Sequence, residues 1–254
     1  MPNAPSEVTL WYVERAALVG EDLWRTVHHL LTPEEQERLG AFVFEKDRHE
    51  YLLTRALERA TLAHTLDVPP TALRFRRTEL GRPELVPASD VEFNLTNTPR
   101  LVACAVTRGR CLGVDAEPLE RADQVLALAA TVFTKREQAD LAAMPPAERR
   151  RWAVQLWTVK EAYIKARGLG LSLPLEQIEL RRAVDNRTTL SFHGDIDDPP
   201  TRWSVRTIEL ADHLVSLCVS TDEHFEGWSL SSESALALLL ALEPTRWANG
   251  ETSS

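Results

Sequence analysis

Regular structure first becomes legible at Thr32-Pro33-Glu34-Glu35, where a polar cluster opens onto apolar residues at helical spacing. Thr32 suits a helix cap, Pro33 the first helical position, and Glu35 completes a capping box. Helical spacing continues, with a break near Phe44, to about Leu66, and Pro69-Pro70 ends it. Within this stretch Leu53, Leu57 and Ala60 take one face, and Arg48, Arg55 and Arg59 take another. Residues 73–77 read as a strand, Gly81-Arg82-Pro83 as a turn and 91–95 as a short strand. The apolar runs 101–107 and 111–117 flank Arg108-Gly109-Arg110, a pattern that predicts a β-hairpin.

The second half repeats this order. Helices are predicted over 122–131, 135–143 and 147–167, with a second capping box at Thr134 and Glu137. Gly168 and Gly170 stop the long helix. Strands follow over 177–181, 188–192, 203–210 and 213–220. Each half is helix-rich first and strand-rich second. This predicts an α+β fold of two similar lobes, 1–112 and 113–228, with an extension over 229–254 that carries a short apolar helix candidate.

Composition narrows the function classes. The chain has 254 residues and is 44% hydrophobic, enough for a well-buried core. No apolar run has membrane-spanning length, and the N-terminus lacks the basic start and apolar stretch of a secretory signal. Three cysteines, Cys104, Cys111 and Cys218, argue against a disulfide framework and fit a reducing cytoplasm. A net charge of −9 disfavours nucleic acid as a partner. Arg and Lys nevertheless cluster over 46–59, 74–82 and 149–167, which suggests a local anionic ligand.

Three features carry candidate chemistry. In Gly113-Val114-Asp115-Ala116-Glu117, strand periodicity places Asp115 and Glu117 on one face and turns Val114 and Ala116 to the core. This is either a strand end running into solvent or a pair of oxygen ligands for magnesium. In Trp157-Thr158-Val159-Lys160-Glu161-Ala162-Tyr163-Ile164-Lys165, helical spacing aligns Trp157, Glu161 and Lys165, with Lys160 beside them. Glu161 and Lys165 form either a surface pair or part of a cleft wall. The stripe of Arg48, Arg55 and Arg59, with Lys46 and Arg82, is either a solvated face or a phosphate-binding surface. The histidines show no metal-ligand spacing, and there is no Gly-rich phosphate loop or nucleophile elbow.

Taken together, these stretches resemble the 4′-phosphopantetheinyl transferases of the larger, surfactin-synthetase-activating type. The paired signature is Gly113-Val114-Asp115-Ala116-Glu117, then Trp157 to Lys165 about forty residues on. Gly81-Arg82-Pro83, Phe93-Asn94-Leu95-Thr96-Asn97-Thr98 and Gly168-Leu169-Gly170-Leu171 resemble further family stretches. The resemblance implies two α/β lobes related by a pseudo-twofold, with the site between them. It implies transfer of the phosphopantetheine arm of coenzyme A to a serine of an apo-carrier protein, by a magnesium-dependent (Mg2+) monomer. Asp115, Glu117 and Glu161 would hold the metal, with Glu161 as base. Lys160 and Lys165 would contact the diphosphate, and Lys165 would serve the leaving phosphate. Arg82, Thr96 and Asn97 would meet the coenzyme, and Lys46, Arg48, Arg55 and Arg59 would surround its 3′-phosphate. Asn97 stands where the family often has His, which removes a proton carrier there. Residues 133–152, with Arg149, Arg150 and Arg151, form the expected carrier-docking region. The rival readings are another magnesium-dependent phosphoryl or nucleotidyl transferase, and a non-catalytic module that binds coenzyme A or a carrier protein.

Overall fold

The computed structural model describes residues 6–17, 24, 27–170, 173–182, 188–221, 228–235, 238 and 239. Two sheets are packed face to face, each covered on its outer side by one long helix. The first sheet contains β1 (Ser6–Glu14), β4 (Val91–Asn97), β5 (Leu101–Arg108) and β11 (Trp228–Ser234), in the order β11-β1-β5-β4. The second contains β6 (Leu112–Pro118), β9 (Trp203–Leu210) and β10 (His213–Ser220), in the order β6-β10-β9.

Strand periodicity explains the layers. In β5, Leu101, Ala103 and Ala105 face the second sheet, and Val102, Cys104 and Val106 face the first lobe's helical layer. In β6, Leu112, Val114 and Ala116 enter the same inter-sheet core. Strands buried on both faces read as unbroken apolar runs, so the pattern does not say which strands pair. The expected hairpin over 101–107 and 111–117 is therefore corrected. β5 pairs with β1 and β4, while β6 pairs with β10, and the chain crosses between sheets at residues 109–111.

Helix α1 (Pro33–Gly40) starts with the predicted capping box, Thr32 and Glu35 each accepting the other's backbone N–H. The break near Phe44 precedes α2 (Glu45–Leu66), which covers the first sheet. The strand expected over 73–77 is the shorter β2 (Phe75–Arg77), which forms a hairpin with β3 (Pro83–Leu85) around Gly81. The helix expected over 122–131 is divided into α3 (Ala122–Ala127) and α4 (Ala129–Val132). Next come α5 (Lys135–Ala143), with its capping box, and α6 (Pro146–Arg167), which Gly168 terminates at φ 65°. A pair of strands, β7 (Ile178–Arg182) and β8 (Thr188–Phe192), packs with α6 in the second lobe's core. Both long helices, α2 and α6, have 22 residues.

The tail does not stand apart from the lobes. β11 lies parallel to β1 and extends the first sheet, and Ala235 and Leu239 join that lobe's core. The rest of the apolar helix candidate lies outside the described residues. β1 itself was not anticipated from the sequence.

The two sheets meet at a seam between edge strands β4 and β6. It is closed by side chains rather than by a backbone ladder. Asn94 Oδ1 accepts the Val114 N–H at 2.9 Å, and Thr96 Oγ1 accepts the Ala116 N–H at 3.1 Å. Two residues further along the same edge, Thr98 Oγ1 lies 2.9 Å from His213 Nε2 on β10. On its other face β6 is crossed by α6 at Gly113. A Cβ there would sit 2.0 Å from the Ala162 carbonyl oxygen and 2.5 Å from the Ala166 nitrogen. Because both obstacles are backbone, α6 itself would have to move. Gly113→Ala is expected to destabilise the protein by at least about 3 kcal/mol, the upper part of the overpacking range. Urea unfolding checks this, and a loss below about 0.5 kcal/mol would contradict the contact.

Candidate active site between the lobes

A cleft of about 350 Å³ lies where the lobes meet. Arg55 of α2, the Leu80–Pro83 turn, and Asn94 and Leu95 of β4 form one wall. Glu161, Ile164 and Lys165 of α6, with Gly168 and Gly170 after it, form the other. The close approach at Gly113 brings this face of α6 against β6 and its carboxylates.

Asp115 is the centre of the arrangement. Its Oδ1 accepts Lys165 Nζ at 2.7 Å and Thr96 Oγ1 at 3.4 Å. Lys165 Nζ also reaches the Val114 carbonyl at 3.1 Å. Asp115 Oδ2 is buried and has no hydrogen-bond partner among the described residues. Burial pushes the Asp115 carboxyl up from its usual range, and Lys165 opposes this. Glu117 is drawn to Arg121 at 2.5 Å, and burial together with the Asp115 charge raises its carboxyl. Glu161 is raised by burial first and then by the charges of Asp115 and Glu117, with Lys165 opposing. Three carboxylates thus share one electrostatic environment that favours added positive charge.

Two of these carboxylates point to protein cations. Among the described residues no three His, Cys, Asp or Glu side chains are disposed as a metal cage. In this arrangement Asp115, Glu117 and Glu161 are not gathered into a cage, with Asp115 paired to Lys165 and Glu117 to Arg121. What does fit a hard cation is the partnerless Asp115 Oδ2, in an all-oxygen set where water can complete the coordination.

Several other expected residues are placed elsewhere. Lys160 is 1% exposed, and its ammonium donates to Glu137 Oε2 at 2.7 Å, Val132 O at 2.9 Å and Leu175 O at 3.0 Å. All three of its donors are used, so it does not reach a diphosphate. Neighbouring helical positions lie about 100° apart, which turns Lys160 towards α5 while Glu161 faces the cleft. Arg59 is also consumed internally, by Glu35 at 2.6 Å and the carbonyls of Pro70 and Leu73. Thr96 uses its hydroxyl on Ala116 and Asp115, which makes it an orienting group rather than a coenzyme contact. Asn97, Lys46 and Arg48 are exposed outside the cleft lining, and Arg48 donates to the Phe42 carbonyl. A spacing of seven keeps Arg48 and Arg55 on one face but sets them about 10 Å apart along the axis. Only Arg55 of that stripe reaches the cleft. Arg82 does line it, and it also ties the lobes together by donating to Lys165 O at 3.0 Å and Glu92 at 3.0 Å. Arg149, Arg150 and Arg151 are engaged by the Ala142 and Met144 carbonyls, Asp123 and Glu209 respectively. The expected basic docking surface is therefore largely neutralised.

The sequence reading missed Arg121, Leu80 and Ile164. Arg121 stands four residues after Glu117, a spacing that could have flagged the pair. The two apolar wall residues carried no signal of their own.

Comparison with known proteins identifies a family. Residues 111–218 match a family model described as the 4′-phosphopantetheinyl transferase superfamily, and residues 20–108 match one described as 4′-phosphopantetheinyl transferase, N-terminal. The 4′-phosphopantetheinyl transferase HetI of Nostoc sp. is 32% identical over 179 residues, which is 68% of this chain and 73% of that protein. The 4′-phosphopantetheinyl transferase Sfp of Bacillus subtilis is 29% identical over 203 residues, 80% of this chain and 88% of that protein. A solved holo-(acyl-carrier-protein) synthase from Bacillus anthracis overlaps 43% of this chain and 93% of its own, at 19% identity and a TM-score of 0.37. The chain belongs to the 4′-phosphopantetheinyl transferase superfamily, and it is of the large, two-lobe type.

The placement of Lys160 is directly testable. Lys160→Met leaves Glu137 buried without its cation and should cost about 3–5 kcal/mol of stability. Coenzyme A affinity of the folded fraction should stay within about twofold, measured by calorimetry. A stable variant with greatly weakened coenzyme binding would return Lys160 to the diphosphate.

Proposed function

We propose that this protein transfers the 4′-phosphopantetheine arm of coenzyme A to a serine of an apo-carrier protein and releases 3′,5′-adenosine diphosphate. The observation that carries this reading is an inter-lobe cleft with Glu161 and Lys165 on one wall, Lys165 paired with Asp115, and Arg55 and Arg82 on the other. Carboxylates facing cations across a cleft suit a diphosphate and the hydroxyl that attacks it.

In the proposed reaction the carrier serine oxygen bonds to the β-phosphorus of coenzyme A. The bond from that phosphorus to the bridging oxygen breaks, and that oxygen leaves with 3′,5′-adenosine diphosphate. Glu161, whose carboxyl is raised by burial, takes the serine proton directly or through a water. Lys165 donates to the departing phosphate oxygen, and Thr96 keeps Asp115 oriented. Arg55 and Arg82 hold the coenzyme's phosphates by charge-assisted hydrogen bonds. Asp115 through its free Oδ2, with Glu161 and Glu117, would hold magnesium, whose charge lowers the cost of building negative charge on the diphosphate.

The reading includes a monomeric, cytoplasmic enzyme that uses neither nucleic acid nor a membrane. The acidic net charge of −9 supports the first exclusion. No helix among the described residues is long and apolar enough to cross a bilayer.

Intact-mass measurement of a panel of apo-carrier proteins, incubated with enzyme, coenzyme A and magnesium, tests the reaction. One phosphopantetheine should be added per carrier, with 3′,5′-adenosine diphosphate released in equal amount. No mass gain on any carrier would overturn the reading. Asp115→Ala should abolish transfer while the protein stays folded. Lys165→Ala should lower kcat about a hundredfold or more, with coenzyme affinity changed much less. Near-normal turnover in either variant would remove that residue from the chemistry.

A further inference from the structure

We propose that Glu58, on the buried side of α2, is a positioning residue: through Arg55 it sets how the cleft binds the phosphate groups of coenzyme A, an inference that rests on the transfer reading above.

Arg55 and Glu58 are one helical turn apart and form an ion pair between Arg55 Nη1 and Glu58 Oε2. The pair runs from core to cleft. The Glu58 side chain is 0% exposed, whereas that of Arg55 is 15% exposed and lines the cleft. The contact is close but poorly aligned, and neither Glu58 oxygen accepts a hydrogen bond among the described residues. A carboxylate buried this way weakens the fold, and an apolar residue of similar size would pack there at lower cost. Burial pushes the Glu58 carboxyl up to about 7, and Arg55 is the foremost group opposing this. Arg59 and Arg77 oppose it less, and Glu35 adds to it. Arg59 cannot replace Arg55 as partner, because Glu35 and two backbone carbonyls occupy its guanidinium.

Fold stability therefore does not account for Glu58, whereas its effect on Arg55 does. A free arginine arm loses much rotamer freedom when it closes on a ligand. With one end of its guanidinium fixed by Glu58, Arg55 has lost that freedom before the coenzyme arrives. Its remaining N–H groups are then available to the cleft. This is pre-organisation for binding, so its effect belongs in affinity rather than in the chemical step.

The test compares the wild-type protein with Glu58→Gln, Arg55→Ala and the double variant. Coenzyme A binding is measured by calorimetry above the Glu58 titration, with KM and kcat for transfer alongside. Glu58→Gln should weaken coenzyme binding and raise KM by about five- to tenfold, with kcat within about twofold. In the Arg55→Ala background the same change should matter by less than about twofold. Glu58→Met, which keeps the volume without the polar end, should repeat the result if the glutamine variant folds poorly. Unchanged or tighter coenzyme binding in both single Glu58 variants would overturn the proposal. Equal weakening with and without Arg55 would also overturn it, since that is what a purely structural role produces. If the wild type binds coenzyme A but modifies no carrier, the transfer reading fails, and the binding comparison still decides the role of Glu58.

Discussion

The placement of β6 governs the rest of the structure. One of its faces fills the inter-sheet core through Leu112, Val114 and Ala116, and one edge pairs with β10. The other edge is satisfied by the side chains of Asn94 and Thr96, which accept its Val114 and Ala116 amides. Its outer face admits the α6 backbone so closely that position 113 has no room for a Cβ. A strand held on every side is a rigid base for Asp115 and Glu117, and buried amides left without acceptors would cost about 1–3 kcal/mol each. The seam also makes the two lobes one unit. The cleft wall from the first lobe and the reactive face of α6 from the second are each referenced to the same seven-residue strand.

The electrostatics follow from that geometry. Burying Asp115, Glu117 and Glu161 near one another raises all three carboxyls, and the protein offsets this only in part, with Lys165 and Arg121. The offset stops short of Asp115 Oδ2. By contrast, Lys160 has three partners, and Arg59 is engaged by Glu35 and two backbone carbonyls. Among the described residues, the buried carboxylate oxygens without a hydrogen-bond partner belong to Asp115 and to Glu58. At Asp115, a bound cation would supply the missing charge.

How much of this was legible in the sequence depended on whether a feature is local. Capping boxes at Thr32 and Thr134, and the glycine stop at Gly168, involve groups within a few residues, and they appear as predicted. Strand pairing is non-local. β5 and β6 look like a hairpin because Arg108-Gly109-Arg110 separates two strand-like runs, yet β5 pairs with β1 and β4 while β6 pairs with β10 in the other sheet. β11 reaches β1 from the far end of the chain, a contact that no local pattern encodes. At the site, strand alternation placed Asp115 and Glu117 on one face, and helical spacing placed Glu161 and Lys165 on one stripe. Helical spacing gives a face but not a depth. It therefore could not separate Arg55, at the cleft, from Arg59 in the core or Arg48 in solvent. Nor could it show that Lys160 would be spent on Glu137.

The central claim is that the seam, and not only the carboxylates, sets the reactive geometry. Thr96 tests this most directly, because one hydroxyl both accepts the Ala116 amide and donates to Asp115. Thr96→Val keeps the shape and removes the hydroxyl, while Thr96→Ser keeps the hydroxyl. Transfer measured on both variants with magnesium present should show the valine form slowed at least about tenfold and the serine form within about threefold of wild type. Wild-type turnover in Thr96→Val, with the fold unchanged, would contradict the account, because Asp115 would then hold its place without the seam.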